Sequence, residues 1–412
     1  MPQAARTVRA EERGTHSPIY AVWELTLRCD HACSHCGSRA ASARPDELTN
    51  DELYDVADQI VRLGFREVTL IGGEAYLHPE CAGIVRRLVD GGVRVTMQTG
   101  GRGFTDKRAK PLAEAGMAAI GVSIDGMEAE HDQLRNSKGS WKAALGALDA
   151  ARNHGMIVTT NSQVNRWNRH SLPELVSVLR DKGVRAWRAQ LTVPMGRAAD
   201  EPRMILQPWM ILDVMNMLAD LQIKEVERVR SLGLPPERAM RIMAGNNLGY
   251  YGPHEVTLRS RPGGGATWWQ GCKAGTYTIG LESDGTVKGC PSLPTAPYVG
   301  GNIRDVSLEE LWNNNETIGF TRHRTTDELW GFCKTCEYAD TCRAGCSFTA
   351  HSTLGRRGNM PFCYHRAHTL KEQGKRERLV PVEAAAGLPY DFGRFEIVEE
   401  PWPMSQVDVG EG

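Results

Sequence analysis

The chain predicts an α/β fold, a partial (β/α)6 TIM-like barrel followed by a small cysteine-rich domain. Three observations carry that expectation. Short apolar runs alternate with amphipathic stretches six times in the first half of the 412 residues, the pattern of βα units that build a parallel sheet. The periodic pattern then gives way to glycine, asparagine and tyrosine across 232–265. Beyond that shift, seven of the eleven cysteines fall between Cys272 and Cys363. At roughly 150 residues per domain, the expected division is an arm (1–17), a core (18–231), a linker (232–265), a cysteine-rich domain (266–373) and a tail (374–412).

The arm is polar and aperiodic and reads as mobile. The first strand is expected at 21–28, and five more at 67–71, 93–98, 119–124, 156–160 and 187–192, all rich in β-branched and apolar residues. The capping signal Thr49-Asn50-Asp51-Glu52 opens the first helix, which runs to Leu63-Gly64. Further helices are expected at 79–90, 106–115, 140–154 and 172–182, each ending near a glycine, and a longer one at 208–229. Repeated parallel βα units place ligand chemistry at the C-terminal ends of the strands. The tail, rich in proline, glycine and acid, is expected to pack loosely.

Composition excludes several classes. Lys and Arg number 49 against 50 Asp and Glu, a formal charge of -1, so no basic field draws the chain to nucleic acid or anionic lipid. The N-terminus lacks an apolar h-region, and no stretch approaches the ~20 apolar residues of a membrane span. A cytoplasmic protein is expected. Eleven cysteines without an export signal then argue for metal or redox chemistry rather than a disulfide framework.

Directly after the first strand comes Cys29-Asp30-His31-Ala32-Cys33-Ser34-His35-Cys36, a C-x3-C-x2-C run. Thiolates are the soft ligands of iron–sulfur clusters and zinc, and such clusters normally take four. Three leave one iron open to a small molecule. A partial zinc knuckle is the alternative, although structural zinc wants four closed ligands; so is a set of three unrelated buried cysteines. The run resembles that of the radical S-adenosylmethionine (radical SAM) superfamily. That resemblance implies a 4Fe–4S cluster held by Cys29, Cys33 and Cys36, whose open iron chelates the amino and carboxylate groups of SAM.

Further segments carry the resemblance through residues 20–197. Gly72-Gly73-Glu74 offers a close backbone approach and a carboxylate for an ammonium, or simply a turn; the similar G-G-E of the family contacts the SAM amino group, and Ala75 stands where proline is usual. Gln98-Thr99-Gly100-Gly101 resembles Q-T-N-G with Gly100 in place of asparagine. Ser123-Ile124-Asp125-Gly126 resembles the S-I-D-G segment near the ribose and substrate, although an aspartate before glycine also caps turns. Arg135 is expected to pair with the SAM carboxylate or with a neighbouring acid. Asn161, Gln163 and Asn165 end the fifth strand. Pro194-Met195-Gly196-Arg197 resembles P-x-G-R-A, whose backbone touches adenine.

Downstream, Cys272-x12-Gly285-x4-Cys290 precedes Cys333-x2-Cys336-x5-Cys342-x3-Cys346 and then Cys363. Seven thiols exceed one four-coordinate site and nearly fill two; two zinc ribbons would use similar spacings. The ladder resembles the SPASM domain. By that resemblance Cys272, Cys290 and Cys346 serve a nearer auxiliary 4Fe–4S cluster, and Cys333, Cys336, Cys342 and Cys363 a farther one. Cys81 reads as an ordinary buried cysteine.

The resemblance implies an enzyme that cleaves SAM reductively to a 5'-deoxyadenosyl radical and abstracts hydrogen from a peptide, in maturation of a ribosomally made peptide. Rivals are a SPASM oxidase acting on a small molecule or a sulfatase-type protein residue, and a non-enzymatic cluster- or zinc-bearing binding module. A reductant such as flavodoxin or ferredoxin is expected. The short arm leaves no room for a fused leader-binding domain, so a separate leader-binding protein is expected. Residues 245–265 with Trp268-Trp269 are read either as lining a peptide groove or as a linker packed on the core.

Overall fold

The structure, a computed structural model, describes residues 5–403. Six parallel strands follow the expected order: β1 (Tyr20–Thr26), β2 (Glu67–Gly72), β3 (Arg94–Thr99), β4 (Ala119–Ser123), β5 (Ile157–Val164) and β6 (Ala186–Leu191). Between them run α1 (Asn50–Leu63), α2 (Cys81–Asp90), α3 (Asp106–Glu114), α4 (Glu128–Arg135), α5 (Ser140–Asn153) and α6 (Leu175–Asp181), and α7 (Ile211–Ser231) follows β6. Helix α1 begins as its sequence dictates: the Thr49 side chain accepts from Glu52 N while Glu52 caps Thr49 N in return, and Gly64 closes the helix in the left-handed conformation. Helix α4 escaped the sequence pattern because it is short and mostly charged. Its Asp132 then caps α5, accepting from Trp141 N at 2.8 Å and Ser140 Oγ at 2.8 Å.

The strand register separates two faces. Ala21, Trp23 and Leu25 on β1, Val68 and Leu70 on β2, Val95 and Met97 on β3, and Trp187 and Ala189 on β6 are buried in the apolar core that the helices cover. The opposite face lines the barrel lumen and is polar. There Thr69 and Thr96 share a hydrogen bond of 2.7 Å, and Asn161 Nδ2 donates to Gln98 Oε1 across Gly121. An apolar jacket and a polar lumen are what a barrel that binds a polar ligand internally requires.

The sheet is larger than six strands. The stretch read as a linker contributes β7 (Arg241–Ala244), parallel to β6, and the cysteine-rich region contributes β8 (Thr278–Leu281), parallel to β1. Strands β9 (Thr286–Lys288) and β10 (Gly301–Asn302) continue antiparallel, giving ten strands in the order β10-β9-β8-β1-β2-β3-β4-β5-β6-β7. Residues 232–265 are therefore built onto the core. Helix α8 (Glu255–Arg259) ends in Arg259, whose guanidinium donates to the carbonyls of Ala244, Gly245, Leu248 and Gly249. Trp269 is buried against Tyr250, whereas Trp268 is half exposed.

Both ends of the chain depart from the loose packing expected of them. In the arm, Arg6 stacks 3.6 Å over the Tyr20 ring and donates to Glu67 at 2.7 Å, while Tyr277 donates to Glu12 O at 3.0 Å. In the tail, β11 (Lys375–Glu383) and β12 (Arg394–Pro401) form an antiparallel hairpin. Its connecting segment reaches the barrel rim, where Tyr390 donates to the buried Glu24 at 2.5 Å and Asp391 pairs with Arg39 at 2.9 Å. These polar partners lie up to 366 residues away in sequence, so composition alone left both ends unanchored. No helix among the described residues is long and apolar enough to cross a membrane.

Candidate active site and thiol clusters

The loop after β1 that carries Cys29, Cys33 and Cys36 sits at the C-terminal rim of the sheet, and three elements hold it. After β2, Gly73 N donates to Thr26 O at 2.9 Å and Glu74 N to Arg28 O at 2.8 Å. A Cβ on Gly73 would lie 2.2 Å from Arg28 O and 2.7 Å from Cys29 Cβ, and one on Gly72 2.1 Å from Thr26 O. The paired glycines thus bring the backbone against the cysteine loop, where the sequence suggested an approach to the ligand itself. After β6, Arg197 donates through Nε to Cys33 O at 2.7 Å and through its backbone N to Cys36 O at 3.0 Å. Gly196 has φ +56°, and a Cβ there would meet Cys36 O at 2.3 Å. From α4, Arg135 reaches the Cys33 thiol, Nη1 to Sγ, at 3.6 Å.

Around that loop the remaining expected contacts take definite places. Glu74 is buried, accepting from Gly100 N at 2.7 Å and from the Thr99 hydroxyl, and burial pushes its carboxyl up to about 8. Its carboxylate, the Cys29 thiol and the Asp30 carboxylate lie within 4.8 Å of one another. Gly100 is glycine for a steric reason: a Cβ would stand 2.8 Å from the His31 ring and 2.9 Å from Glu74 Oε1. Gln98 and half-buried Ser123 face the lumen, Gln98 bound to Asn161.

Asp125, expected near ribose and substrate or as a turn cap, follows β4 and reaches the cysteine loop through His35. It is fully buried, paired with Arg135 at 2.6 Å and with His35 at 3.2 Å, and accepts from Gln163 N at 2.8 Å. Despite burial, the guanidinium of Arg135 holds its carboxyl far below the usual range. Arg135 accordingly pairs with a neighbouring acid, the second of its two expected partners. Together they orient a charge-assisted donor at Cys33. In Pro194-Met195-Gly196, the backbone is engaged by the tail, with Gly393 N donating to Pro194 O at 3.3 Å and Gly196 N to Asp391 O at 2.8 Å. Sequence reasoning missed the roles of His31, His35, the Arg197 side chain and Asp391. The two histidines inside the cysteine run and the arginine of Pro194-Met195-Gly196-Arg197 were the available signals; nothing local marked Asp391.

The seven downstream thiols fall into two groups. Cys333, Cys336, Cys342 and Cys363 line one cavity with Tyr250, Tyr251 and Tyr338. Cys272 and Cys290 pack against the small core of Ala274, Leu293 and Tyr298, and both lie near enough to Cys346 to help raise its thiol. Cys81 lies apart from both, buried in the barrel core. All eleven cysteines are free.

These surroundings fit thiolate-bound metal. Burial raises Cys29 to about 12, Cys33 to about 11, Cys290 to about 11 and Cys346 to about 12. Bare thiols would remain protonated there, and an electrophilic metal is what deprotonates them. Backbone N–H groups already point at sulfur, His31 N to Cys29, Tyr338 N to Cys336 and Met360 N to Cys333, each at 3.4 Å. Such bonds stabilise the charge on a ligated cluster.

Comparison with known proteins agrees with this arrangement. Residues 23–177 match the model of the radical SAM superfamily, and residues 272–337 that of the SPASM iron–sulfur cluster-binding domain. The AdoMet-dependent heme synthase of Methanosarcina barkeri is 29% identical over 356 residues, 85% of this chain and 98% of the relative. The mycofactocin maturase MftC of Mycobacterium tuberculosis is 26% identical over 403 residues, 97% of this chain and 95% of the relative. Among solved structures, SuiB of Streptococcus suis bound to S-adenosylmethionine aligns with a TM-score of 0.61 at 14% identity, covering 81% of this chain and 74% of that one. The enzyme anSMEcpe with bound AdoMet and a Cp18Cys peptide aligns at 0.63 and 15% identity, covering 85% and 94%. At these identities the two structures establish the fold.

Proposed function

Since this chain is an iron–sulfur enzyme of the radical SAM superfamily with a SPASM domain, we propose that it modifies a peptide substrate during maturation of a ribosomally made peptide. The observation that carries the reading is the set Cys29, Cys33 and Cys36 at the barrel rim beside the Glu74 carboxylate. A 4Fe–4S cluster held by Cys29, Cys33 and Cys36 would supply the one-electron chemistry of that reading, reductive cleavage of SAM and hydrogen abstraction from a substrate carbon. The protein's own part is placement. Glu74 offers its carboxyl group to the SAM ammonium, and Arg135 and Arg197 fix the cysteine loop. Cys272, Cys290 and Cys346 would hold one auxiliary cluster, and Cys333, Cys336, Cys342 and Cys363 the other.

The match to the peptide maturase over 97% of this chain favours a peptide substrate. A separate leader-binding protein and a reductant of the flavodoxin or ferredoxin class complete the reading, in the cytoplasm. The heme synthase relative, matched over 98% of its own length, favours a second reading in which the substrate is a small molecule. The test is anaerobic reconstitution with iron and sulfide, followed by mass spectrometry of co-expressed candidate peptides. A mass change that depends on SAM and on Cys33 supports the proposal. Peptides left unchanged, together with turnover of a porphyrin precursor, would replace it with the second reading.

A further inference from the structure

Inside the barrel one cation lacks a partner. Arg188 lies on β6 opposite Asn161 of β5, and Asn161 reaches over Gly121 to Gln98 on the lumen face. The charged groups whose fields reach Arg188 are Arg6 of the arm and Glu67 on β2. Three strands separate β6 from β2 in the sheet, so that influence crosses the lumen. Among the described residues its half-buried guanidinium has neither a hydrogen bond nor an ion pair. Glu67 already balances two other cations, accepting at Oε1 from Arg6 at 2.7 Å and at Oε2 from Arg94 at 2.8 Å, and makes no hydrogen bond or ion pair with Arg188.

The neighbourhood is an excess of positive charge. On β7, opposite Ala186 and so one diagonal step from Arg188, Arg241 donates to Arg259 O at 2.8 Å and has a buried Nε without a partner. Burial lowers both guanidinium groups, and Arg261, Arg188 and Arg259 push Arg241 further, to about 10. A desolvated cation left unpaired is costly unless an anion arrives to meet it. Guanidinium presents a planar fork that a carboxylate matches in two bonds.

We infer that Arg188 positions the substrate by pairing with one of its carboxylates inside the barrel lumen. The inference rests on the functional reading above and adds the chemical class, an acid-bearing substrate. Arg188 precedes the end of β6 at Leu191 by three residues, about 10 Å below the rim at ~3.3 Å per strand residue. An extended chain covers that depth in roughly three residues. A substrate entering from the rim would thus present a terminal or side-chain carboxylate to Arg188 while a carbon a few residues away stays level with the cysteine loop.

The experiment uses reconstituted full-length protein saturated with SAM and equilibrium retention of three probes: a random tetrapeptide library with free C-terminal carboxylates, the same library amidated, and adipate. Wild-type protein should retain the free-acid library or adipate roughly ten- to a hundredfold better than Arg188→Gln does. Arg188→Lys, which keeps the charge and loses the fork, should fall between. Preference for the acid library over its amide assigns a peptide terminus, retention of both libraries an acidic side chain, and retention of adipate alone a small-molecule acid. Equal retention by wild type and Arg188→Gln, or no retention of any probe by wild type, overturns the inference. Iron content and circular dichroism confirm that the variants are folded and loaded. Failure of the functional reading is seen separately, as wild-type protein that forms no 5'-deoxyadenosine from SAM and dithionite.

Discussion

Replacing Gly73 by alanine tests whether the backbone after β2 shapes the cysteine loop. The new Cβ would stand 2.2 Å from Arg28 O and 2.7 Å from Cys29 Cβ, where ordinary contact begins at 3.4 Å. One strand end must therefore retreat by more than 1 Å. That retreat breaks two short backbone bonds, Gly73 N to Thr26 O and Glu74 N to Arg28 O, at about 0.5–1.5 kcal/mol each. Overpacking adds about 1–3 kcal/mol, for a local cost of about 2–6 kcal/mol. Against a stability of about 5–15 kcal/mol, the chain still folds, but Cys29 leaves its place beside Cys33 and Cys36. Reconstituted Gly73→Ala should carry about eight irons where wild type carries about twelve, at four per cluster, and should form no 5'-deoxyadenosine. Iron and sulfide analysis with electron paramagnetic resonance of the dithionite-reduced protein reads both outcomes. Twelve irons with wild-type SAM cleavage would refute the steric argument.

Other expectations follow from the same geometry. Cys33→Ala, Cys336→Ala and Cys346→Ala should each lose about four irons, with only Cys33→Ala erasing the spectral change that SAM induces; losses from a common set would show that the three thiol groups are not separate. Glu74→Gln keeps the shape but removes the carboxyl group that would give up its proton on meeting the SAM ammonium, so SAM binding by anaerobic calorimetry should weaken roughly ten- to a hundredfold. Arg304, from the cysteine-rich region, donates to Glu52 at the first turn of α1 with a bond of 2.6 Å, and this bond, with the Thr49 cap, holds Glu52 near 2 against its ordinary 4.5. Because the folded-state value is depressed, the stabilisation is present above about pH 4.5 and is lost as pH falls towards 2. The pair is partly exposed, so Glu52→Gln should cost under about 1 kcal/mol in urea unfolding at pH 7, with the difference from wild type shrinking below pH 4.5 and in high salt.

The six barrel strands were legible because each is a short apolar run bounded by glycine and a helix cap, signals that act within ten residues or so. The thiol ladder was legible for a related reason: metal ligands cluster in sequence, and their spacing is nearly a statement of coordination. Strands β7 and β8 were not legible. Each has four residues, too few for a periodic signal, and each exists because an edge of the sheet offers unpaired backbone groups.

By itself the sequence determined the fold class and a clustering of thiols that points to metal chemistry, since capping, side-chain period and ligand spacing are local properties; the division of the seven downstream thiols into a set of three and a set of four came from the resemblance to the SPASM domain. Only the tertiary structure decided which charges meet. It placed Asp125 against Arg135, seated Asp391 on Arg39 across the chain, and left Arg188 without an acid partner among the described residues. Electrostatic pairing depends on distance in space, and no spacing along the chain encodes which residues of strands five places apart in order will face one another across a barrel.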